Sequence, residues 1–212
     1  MNIGFITDTH DDPRTIPWLE GAVKKYDIVC VGGDLGRSLQ GPVVDFVIQH
    51  DNTFLVFGNH DTPNAIHPRI LNGTKVSYRG VKIGGIGGAL PVAGFPNEYD
   101  ETEYLVLTRN LGKGIDILLL HQPPVNTRCD TVWFGAHIGS IALRKYIEES
   151  QPLLSMSGHV HESPGIDSIG RTLIGNPGAF FDTGDYLEAT IDPVAMTLRK
   201  GLGPISKGSY DP

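Results

Sequence analysis

Residues 53–61 have the sequence TFLVFGNHD, and this segment decides the fold. Its first five residues are β-branched, aromatic or aliphatic, which is typical of a short buried strand. An amide, an imidazole and a carboxylate then follow the glycine at the end of the strand. Such polar groups are costly to bury side by side unless they bind something. The end of this strand is therefore a candidate binding site.

The same arrangement, an apolar run followed by Asp, Asn or His, recurs along the chain. Apolar runs at residues 2–6, 28–31, 115–120 and 152–157 are also predicted to form strands. The polar residues that follow the five runs are Asp8 and His10, Asp34, Asn59 and His60, His121, and His159 and His161. Because ligands of open α/β sheets bind beyond the carboxyl ends of the strands, these side chains are expected to converge.

Helical and hairpin patterns occupy the intervening sequence. Helical periodicity predicts helices over residues 12–25, 41–49, 98–111 and 141–150, and residues 63–70 are a candidate short helix. Hairpins are predicted about the turns Arg79-Gly80, Gly170 and Asp192-Pro193. Buried parallel strands need helices on one face and an apolar layer on the other. The pattern therefore predicts an α/β protein, a four-layer α/β/β/α sandwich of two mixed sheets with flanking helices.

Two glycine-rich segments affect the predicted organisation of the chain. GGIGG at residues 84–88 could suggest a dinucleotide-binding loop, but no clear helix follows it, so we expect a close-packed loop. The Gly-, Pro- and Ser-rich residues 201–212 are expected to form a loose tail. Since no interdomain linker or internal repeat is apparent, we predict one domain over residues 1–200.

The composition excludes several classes of partner. The net charge is −7 and no basic run is present, which argues against binding to duplex nucleic acid. No apolar run approaches the length of a membrane span. The two cysteines form no CxxC pair and the N-terminal residues lack a signal-peptide pattern, so a cytoplasmic protein is expected. An anionic substrate is still compatible with this charge if bound metal supplies positive charge.

The residue types at the strand ends have a common chemistry. Carboxylates and imidazoles together suit divalent first-row metals, and an asparagine oxygen adds a neutral ligand. Eight candidate donors exceed the needs of one tetrahedral ion but suit two ions of higher coordination that share a bridge. Each motif alone is typical of a turn or a helix cap. Five motifs in the same structural position favour a metal site.

The motifs DTH at 8–10, GD at 33–34, GNHD at 58–61, His121 and GHVH at 158–161 resemble those of the calcineurin-like metallophosphoesterase superfamily. The resemblance implies two divalent metal ions, for which manganese is our first expectation and iron, zinc, cobalt and nickel are alternatives. It implies that one ion is held by Asp8, His10 and His161 and the other by Asn59, His121 and His159. Asp34 would bridge both ions.

Departures from the phosphoprotein phosphatase branch of this superfamily are informative. Asp11 stands where that branch has glycine, and the fourth motif is His-Gln-Pro-Pro rather than His-Gly-Gly. Arg37 stands where that branch has the aspartate that supports the catalytic histidine. The chain therefore resembles the small prokaryotic phosphoesterase branch. Without that aspartate, Asp61 is a candidate for orienting His60.

The resemblance implies a metal-dependent phosphoesterase that hydrolyses a phosphomonoester or phosphodiester through attack of a metal-bridging hydroxide. His60 would be the catalytic general acid and not a metal ligand. The alternatives are a nuclease, which the acidic balance disfavours, and a non-catalytic binding platform, which would be expected to lack some ligands. The substrate itself and the oligomeric state are not indicated by the sequence.

Candidate substrate contacts lie outside the metal motifs. Arg37 could bind phosphate, with a solvated surface arginine as the alternative. The predicted loop at residues 122–138 carries Arg128, Trp133 and Phe134, and long loops beside a site often shape specificity. The two aromatic residues could stack on a substrate ring or pack the loop against the body. A small phosphoester is the expected substrate class.

Overall fold

The structure, a computed structural model, describes residues 1–191 and 196–201. Its strands are β1 (Asn2–Ile6), β2 (Ile28–Val31), β3 (Thr53–Leu55), β4 (Thr74–Tyr78), β5 (Val81–Ile86), β6 (Ile117–Leu120), β7 (Leu154–Met156), β8 (Gly165–Ile169), β9 (Thr172–Asn176), β10 (Tyr186–Ile191) and β11 (Met196–Gly201). Its helices are α1 (Thr15–Lys25), α2 (Gln40–Gln49), α3 (Glu101–Leu111), α4 (Ile141–Ser150) and α5 (Phe180–Thr183).

The strands form two mixed sheets. The first has the order β11-β10-β1-β2-β3, in which β1, β2 and β3 are parallel, β10 is antiparallel to β1, and β11 is antiparallel to β10. The second has the order β4-β5-β6-β7-β9-β8, with parallel central strands and an antiparallel strand at each edge. The parallel strands of each sheet therefore bring several carboxyl ends to one edge.

Three apolar clusters separate four layers. The cluster between the sheets includes Phe5, Phe54 and Leu119, which are buried. A second cluster packs α1 and α2 on the outer face of the first sheet, and a third packs α3 and α4 on the second sheet. Burial of both faces of each sheet is what the continuous apolar runs predict. The predicted four-layer sandwich of two mixed sheets is confirmed.

The segment after residue 61 differs from its prediction. Residues 63–69 contain no helix, and Pro68 is incompatible with the interior of a regular helix. The backbone instead exchanges hydrogen bonds with the end of β3, since Leu55 donates to the Arg69 carbonyl and Leu71 donates to the Leu55 carbonyl. The expected short helix at residues 63–70 is therefore wrong.

The glycine-rich segment at residues 84–88 is partly strand. Gly84, Gly85 and Ile86 belong to β5 and are not a loop. A Cβ atom on Gly85 would lie 2.5 Å from the Leu71 Cβ, so the expected close packing is present. The absence of side chains lets this central strand approach its neighbours closely.

The remaining differences lie near the end of the chain. The short helix α5 was not predicted, and β11 extends through Gly201, the first residue of the expected tail. The predicted turn at Asp192-Pro193 and residues 202–212 lie outside the described residues. Within the described ranges, no helix combines the length and apolar character that crossing a bilayer requires.

Candidate metal centre

The loops that follow β1, β2, β6 and β7 meet at one edge of the two sheets. The Asp8 amide donates to the Gly33 carbonyl at 2.9 Å, and the His10 amide donates to the Asp34 carbonyl at 2.9 Å. The Gly158 amide likewise donates to the His121 carbonyl at 3.0 Å. These backbone hydrogen bonds join the loops before any side chain is considered, and they bring the motif residues together.

One group of donors consists of Asp8, His10 and His161, and their donor atoms lie within 4.8 Å of one another. The Asp8 carboxylate is fully buried, and its Oδ1 lies 3.1 Å from Nε2 of His161. A carboxylate and two imidazoles at this separation could hold a divalent first-row metal.

A second group adds Asp34 and His121 to Asp8, again within 4.8 Å. Nε2 of His121 lies 3.6 Å from Asp34 Oδ2 and 3.1 Å from Asn59 Oδ1. Nδ1 of the same ring lies 2.7 Å from the Gly32 carbonyl, to which it can only donate. Such a bond to the outer nitrogen is how proteins orient a histidine ligand, and it leaves Nε2 facing the oxygens.

His159 lies beside this second group without joining it closely. Its backbone amide donates to Asp8 Oδ2 at 3.0 Å, and its ring centroid is 5.2 Å from that of His121. Burial lowers the pKa of His159 to about 4, and the nearby His121 contributes to the lowering. The ring is therefore neutral at pH 7 and retains a lone pair.

The electrostatics of the cluster fit a bound cation. Asp8 and Asp34 are buried, and in the part of the chain that the structure describes their ion-pair partners are all histidines. Burial opposes the charged form of His121, yet Asp34 and Asp8 raise the pKa of this histidine to about 9. Nε2 of His10 is buried without a hydrogen-bond partner among the described residues. Buried charges usually require compensation by an opposite charge or a metal.

Backbone strain is concentrated in the same loops. Asp8, His10, Asp34 and His159 all have positive φ angles, of 51°, 39°, 52° and 66°. Non-glycine residues adopt this region at a cost on the order of 1–3 kcal/mol each, and they do so mainly where function requires it. The strain is therefore evidence that these side chains are held for binding.

Close backbone approach explains two glycines of the motifs. A Cβ atom on Gly58 would lie 2.0 Å from Asp34 Oδ1. One on Gly158 would lie 2.0 Å from the Thr7 hydroxyl and 2.3 Å from Asp8 Oδ2. Any side chain at either position would displace a predicted metal ligand, which is why the motifs need glycine there.

His60 lies at the rim of the cluster. Its amide donates to Asp34 Oδ1 at 3.0 Å, and its ring Nε2 is 4.0 Å from Asp34 Oδ2. The side chain is 44% exposed, and its ring lies outside both groups of close donors. This position is accessible to a substrate in a way that the buried ligands are not.

Asp61 has a different role from the one expected. Its carboxylate accepts hydrogen bonds from the backbone amides of Asp34, Leu35 and Gly58, each at 2.8 Å. Both oxygens are thus used to join the loop after β2 to the loop after β3, and the ring of His60 is not among their described partners. Burial and the charge of Asp34 raise the pKa of Asp61 to about 6, so the group is ionised at neutral pH.

Replacing Asp61 with Asn is expected to destabilise the protein by about 2–3 kcal/mol, because the new NH2 group faces a backbone N–H donor, which then loses its acceptor. The free energy of unfolding, measured by urea denaturation at pH 7.5, tests this. Asp116→Asn is the matched control, since Asp116 accepts one backbone bond, from Lys82, near solvent. Equal losses in the two variants would contradict the assigned role of Asp61.

The four candidate substrate contacts lie in different places. Arg37 lines a cavity of about 650 Å³ together with His10 and His60. Arg128, Trp133 and Phe134 do not line it; Arg128 is exposed and its amide donates to Asp167. Trp133 is 75% exposed and Phe134 is fully exposed, so neither packs the loop against the body.

Two aromatic residues near the cluster were not anticipated. The Phe181 ring lies 5.0 Å from the His10 ring and 5.6 Å from the His161 ring. The Phe95 ring lies 4.0 Å from the His60 ring. Both come from short loop or helix segments without hydrophobic periodicity, so the sequence carries no signal for their location.

The fold and the site define a class of protein, the α/β/β/α sandwiches whose strand ends carry a cluster of Asp, Asn and His side chains that could hold metal ions. The family model of the calcineurin-like phosphoesterase superfamily domain matches residues 1–192, and the chain belongs to this superfamily. The predicted family relationship is therefore confirmed.

Individual relatives agree with this assignment. The chain is 32% identical to the uncharacterized protein MJ1162 of Methanocaldococcus jannaschii over 199 residues, covering 84% of this chain and 88% of the relative. It superposes on TT1561 of Thermus thermophilus with a TM-score of 0.63 at 21% identity, covering 95% and 98% of the two chains. For a dimetal phosphatase from Danio rerio the TM-score is 0.60 at 13% identity, with 96% of each chain covered. At these identities the two structures support the fold alone.

Proposed function

We propose that this protein is a metal-dependent phosphoesterase that hydrolyses a small phosphomonoester or phosphodiester. The observation that carries the proposal is the pair of buried carboxylates, Asp8 and Asp34, whose ion-pair partners among the described residues are histidines. Two of these histidines, His10 and His60, line a cavity of about 650 Å³. Family membership supports phosphoester hydrolysis over other metal chemistry.

Two divalent ions are assigned to the cluster, with manganese as the first choice and iron, zinc, cobalt and nickel as alternatives. Asp8, His10 and His161 would hold one ion, Asn59, His121 and His159 the other, and Asp34 would lie between them. The close approach of the donors of Asp8, His10 and His161, and the 3.1 Å between His121 Nε2 and Asn59 Oδ1, support this assignment. The mixture of carboxylate, imidazole and amide donors also suits such ions. When bound, such ions supply Lewis acidity, which polarises phosphoryl oxygens and activates water.

The residues of the chain itself orient the reaction. His60 lies between the cluster and the cavity, where it would protonate the leaving oxygen as the general acid. Asp61 acts indirectly, since it fixes the backbone of Asp34 and Gly58 on either side of the ligands. Arg37 lies in the wall of the cavity, where its guanidinium could bind a phosphoryl oxygen.

Metal removal provides the first test. Protein treated with chelator and dialysed is expected to lose hydrolysis of both p-nitrophenyl phosphate and bis(p-nitrophenyl) phosphate, because the carboxylates alone cannot stabilise the anionic transition state. Addition of manganese is expected to restore the activity with about two ions per chain by elemental analysis, the number expected of a two-metal site. The measurement compares rates on the two esters before and after resupply.

The same experiment separates the alternatives. Stoichiometric metal without hydrolysis of either ester would favour a binding platform over an enzyme. No bound metal after resupply would contradict the proposed centre itself. The Asp116→Asn protein, whose substitution lies outside the cluster, is the control for loss of activity through handling.

A further inference from the structure

The cavity beside His60 is larger than a phosphate group requires. Its lining includes His10 and His60, whose Nε2 atoms lie 3.7 and 4.0 Å from Asp34 Oδ2, together with Arg37, Gln40, Phe95 and Pro96. Its volume of about 650 Å³ is in the range of pockets that bind complete small-molecule ligands. A phosphoryl group at the metal cluster would leave most of this space for the remainder of the substrate.

Phe95 supplies an aromatic wall next to the proposed general acid. The centroid of its ring is 4.0 Å from that of His60, with an angle of 40° between the rings. The side chain is half-buried, so part of the ring borders the cavity. Planar rings stack on such a surface with a favourable free energy beyond simple burial.

The segment that carries Phe95 is fixed at both ends. The buried side-chain amide of Asn97 donates to the Gly58 carbonyl at 3.0 Å, and the Asn97 backbone amide donates to the Asn59 carbonyl at 3.3 Å. The Glu98 carboxylate accepts from the amides of Val92, Ala93 and Gly94 at 2.9–3.0 Å. The ring is therefore held in register with the GNHD motif.

Gln40 and Thr62, which also line the cavity, are attached to this motif as well. The Thr62 amide donates to Oε1 of Gln40 at 3.1 Å, and the Gln40 side chain donates back to the Thr62 carbonyl. These two bonds tie the N-terminus of α2 to the chain just after His60. The segment that carries Phe95 and the start of α2 are thus both attached to the backbone next to His60, which gives the rigid support that a specificity pocket requires.

We propose that this cavity is the leaving-group subsite and that Phe95 stacks on a planar ring of the leaving alcohol. The inference rests on the proposed function: a water oxygen joins phosphorus, the bond from phosphorus to the leaving oxygen breaks, and His60 transfers its proton to that oxygen. The departing group must then lie on the side of His60 that faces the cavity. The preferred substrates are phosphoesters of ring-bearing alcohols, such as nucleosides, rather than of small aliphatic alcohols.

A matched substrate pair tests the proposal. Benzyl and cyclohexylmethyl phosphate have leaving alcohols of similar size and basicity, but only benzyl is planar; their methyl diesters serve equally. Wild-type protein with manganese is expected to prefer the benzyl ester by about tenfold in kcat/KM, the range that aromatic stacking gives. Phe95→Leu is expected to remove most of this preference, because the KM for the benzyl ester rises when the planar stacking surface is lost.

The outcomes distinguish the two proposals. Hydrolysis of neither ester by metal-loaded wild-type protein would contradict the proposed function. Hydrolysis of the two esters by wild-type protein with equal kcat/KM would overturn the proposed subsite alone. The same conclusion would follow if Phe95→Leu, with an unchanged melting temperature, lowered kcat/KM equally for the two esters. Trp133→Leu is the second variant, because Trp133 is exposed and does not line the cavity. If that substitution, and not Phe95→Leu, removes the preference, the ring binds elsewhere and the proposal fails.

Discussion

Replacing Asp34 with Asn is expected to lower kcat/KM by at least about 10³-fold, which corresponds to about 4 kcal/mol of transition-state stabilisation. Asp34 Oδ2 lies 3.6, 3.7 and 4.0 Å from Nε2 of His121, His10 and His60, so one carboxylate serves both halves of the cluster. Asparagine keeps the shape but removes the charge that compensates a cation. The number of bound metal ions per chain is expected to fall with the activity.

The number of metal ions per chain, from elemental analysis, and kcat/KM are measured on the same preparation of the Asp34→Asn protein. Asp12→Asn is the matched control, since Asp12 is also buried but is paired with Arg14, which donates to both of its oxygens. That variant is expected to retain its metal. Two tightly bound ions and near wild-type turnover in the Asp34→Asn protein would refute the role of Asp34 between the ions.

His60→Gln is expected to reduce kcat by about 10²–10⁴-fold, the usual contribution of a positioned general acid, while the bound metal is unchanged. The ring lies outside both groups of close donors and is 44% exposed, so its loss should leave the ligand cage intact. The loss is expected to be larger for a benzyl ester than for a p-nitrophenyl ester, because p-nitrophenolate departs without a proton.

Comparison of the two leaving groups separates acid catalysis from a merely structural role. An equal loss on both esters, or a loss of metal, would show that His60 does not act as the acid. The control is His137→Gln, since His137 pairs with Asp130 in the loop at residues 127–138 and is exposed. This variant is expected to match wild type on both esters.

The convergence of the motifs was predictable because it follows from topology. Parallel strands place their carboxyl ends at one edge, so polar residues that follow apolar runs must approach one another. The pattern of Asp8, Asp34 and His121 after such runs therefore predicted both the sheets and their common edge. The family resemblance added which donors belong together, and that grouping stays a proposal.

The role of Asp61, the conformation of residues 63–70 and the position of Phe95 were not predicted. Each depends on tertiary hydrogen bonds that local sequence patterns do not reveal. Asp61 follows His60 directly, yet the turn aims its carboxylate at backbone amides of the neighbouring loop. Residues 63–70 are a candidate short helix in the sequence, but Pro68 and the backbone hydrogen bonds to β3 give an irregular segment. Phe95 lies beside His60 because hydrogen bonds of the Asn97 and Glu98 side chains to backbone groups fix the path of its loop. These bonds cannot be inferred from the order of residues.

The bonds made by Asp61 have a consequence for how ions enter. Its carboxylate fixes the backbone amides of Asp34, Leu35 and Gly58, so the loops that carry the proposed ligands would be ordered by folding itself. The entropy of ordering these loops would then be lost during folding and not during ion binding. On the proposed function, the choice among cations would then depend on ionic radius and preferred coordination rather than on loop adaptability. Metal ions would then bind to and leave this site without rearrangement of the surrounding loops.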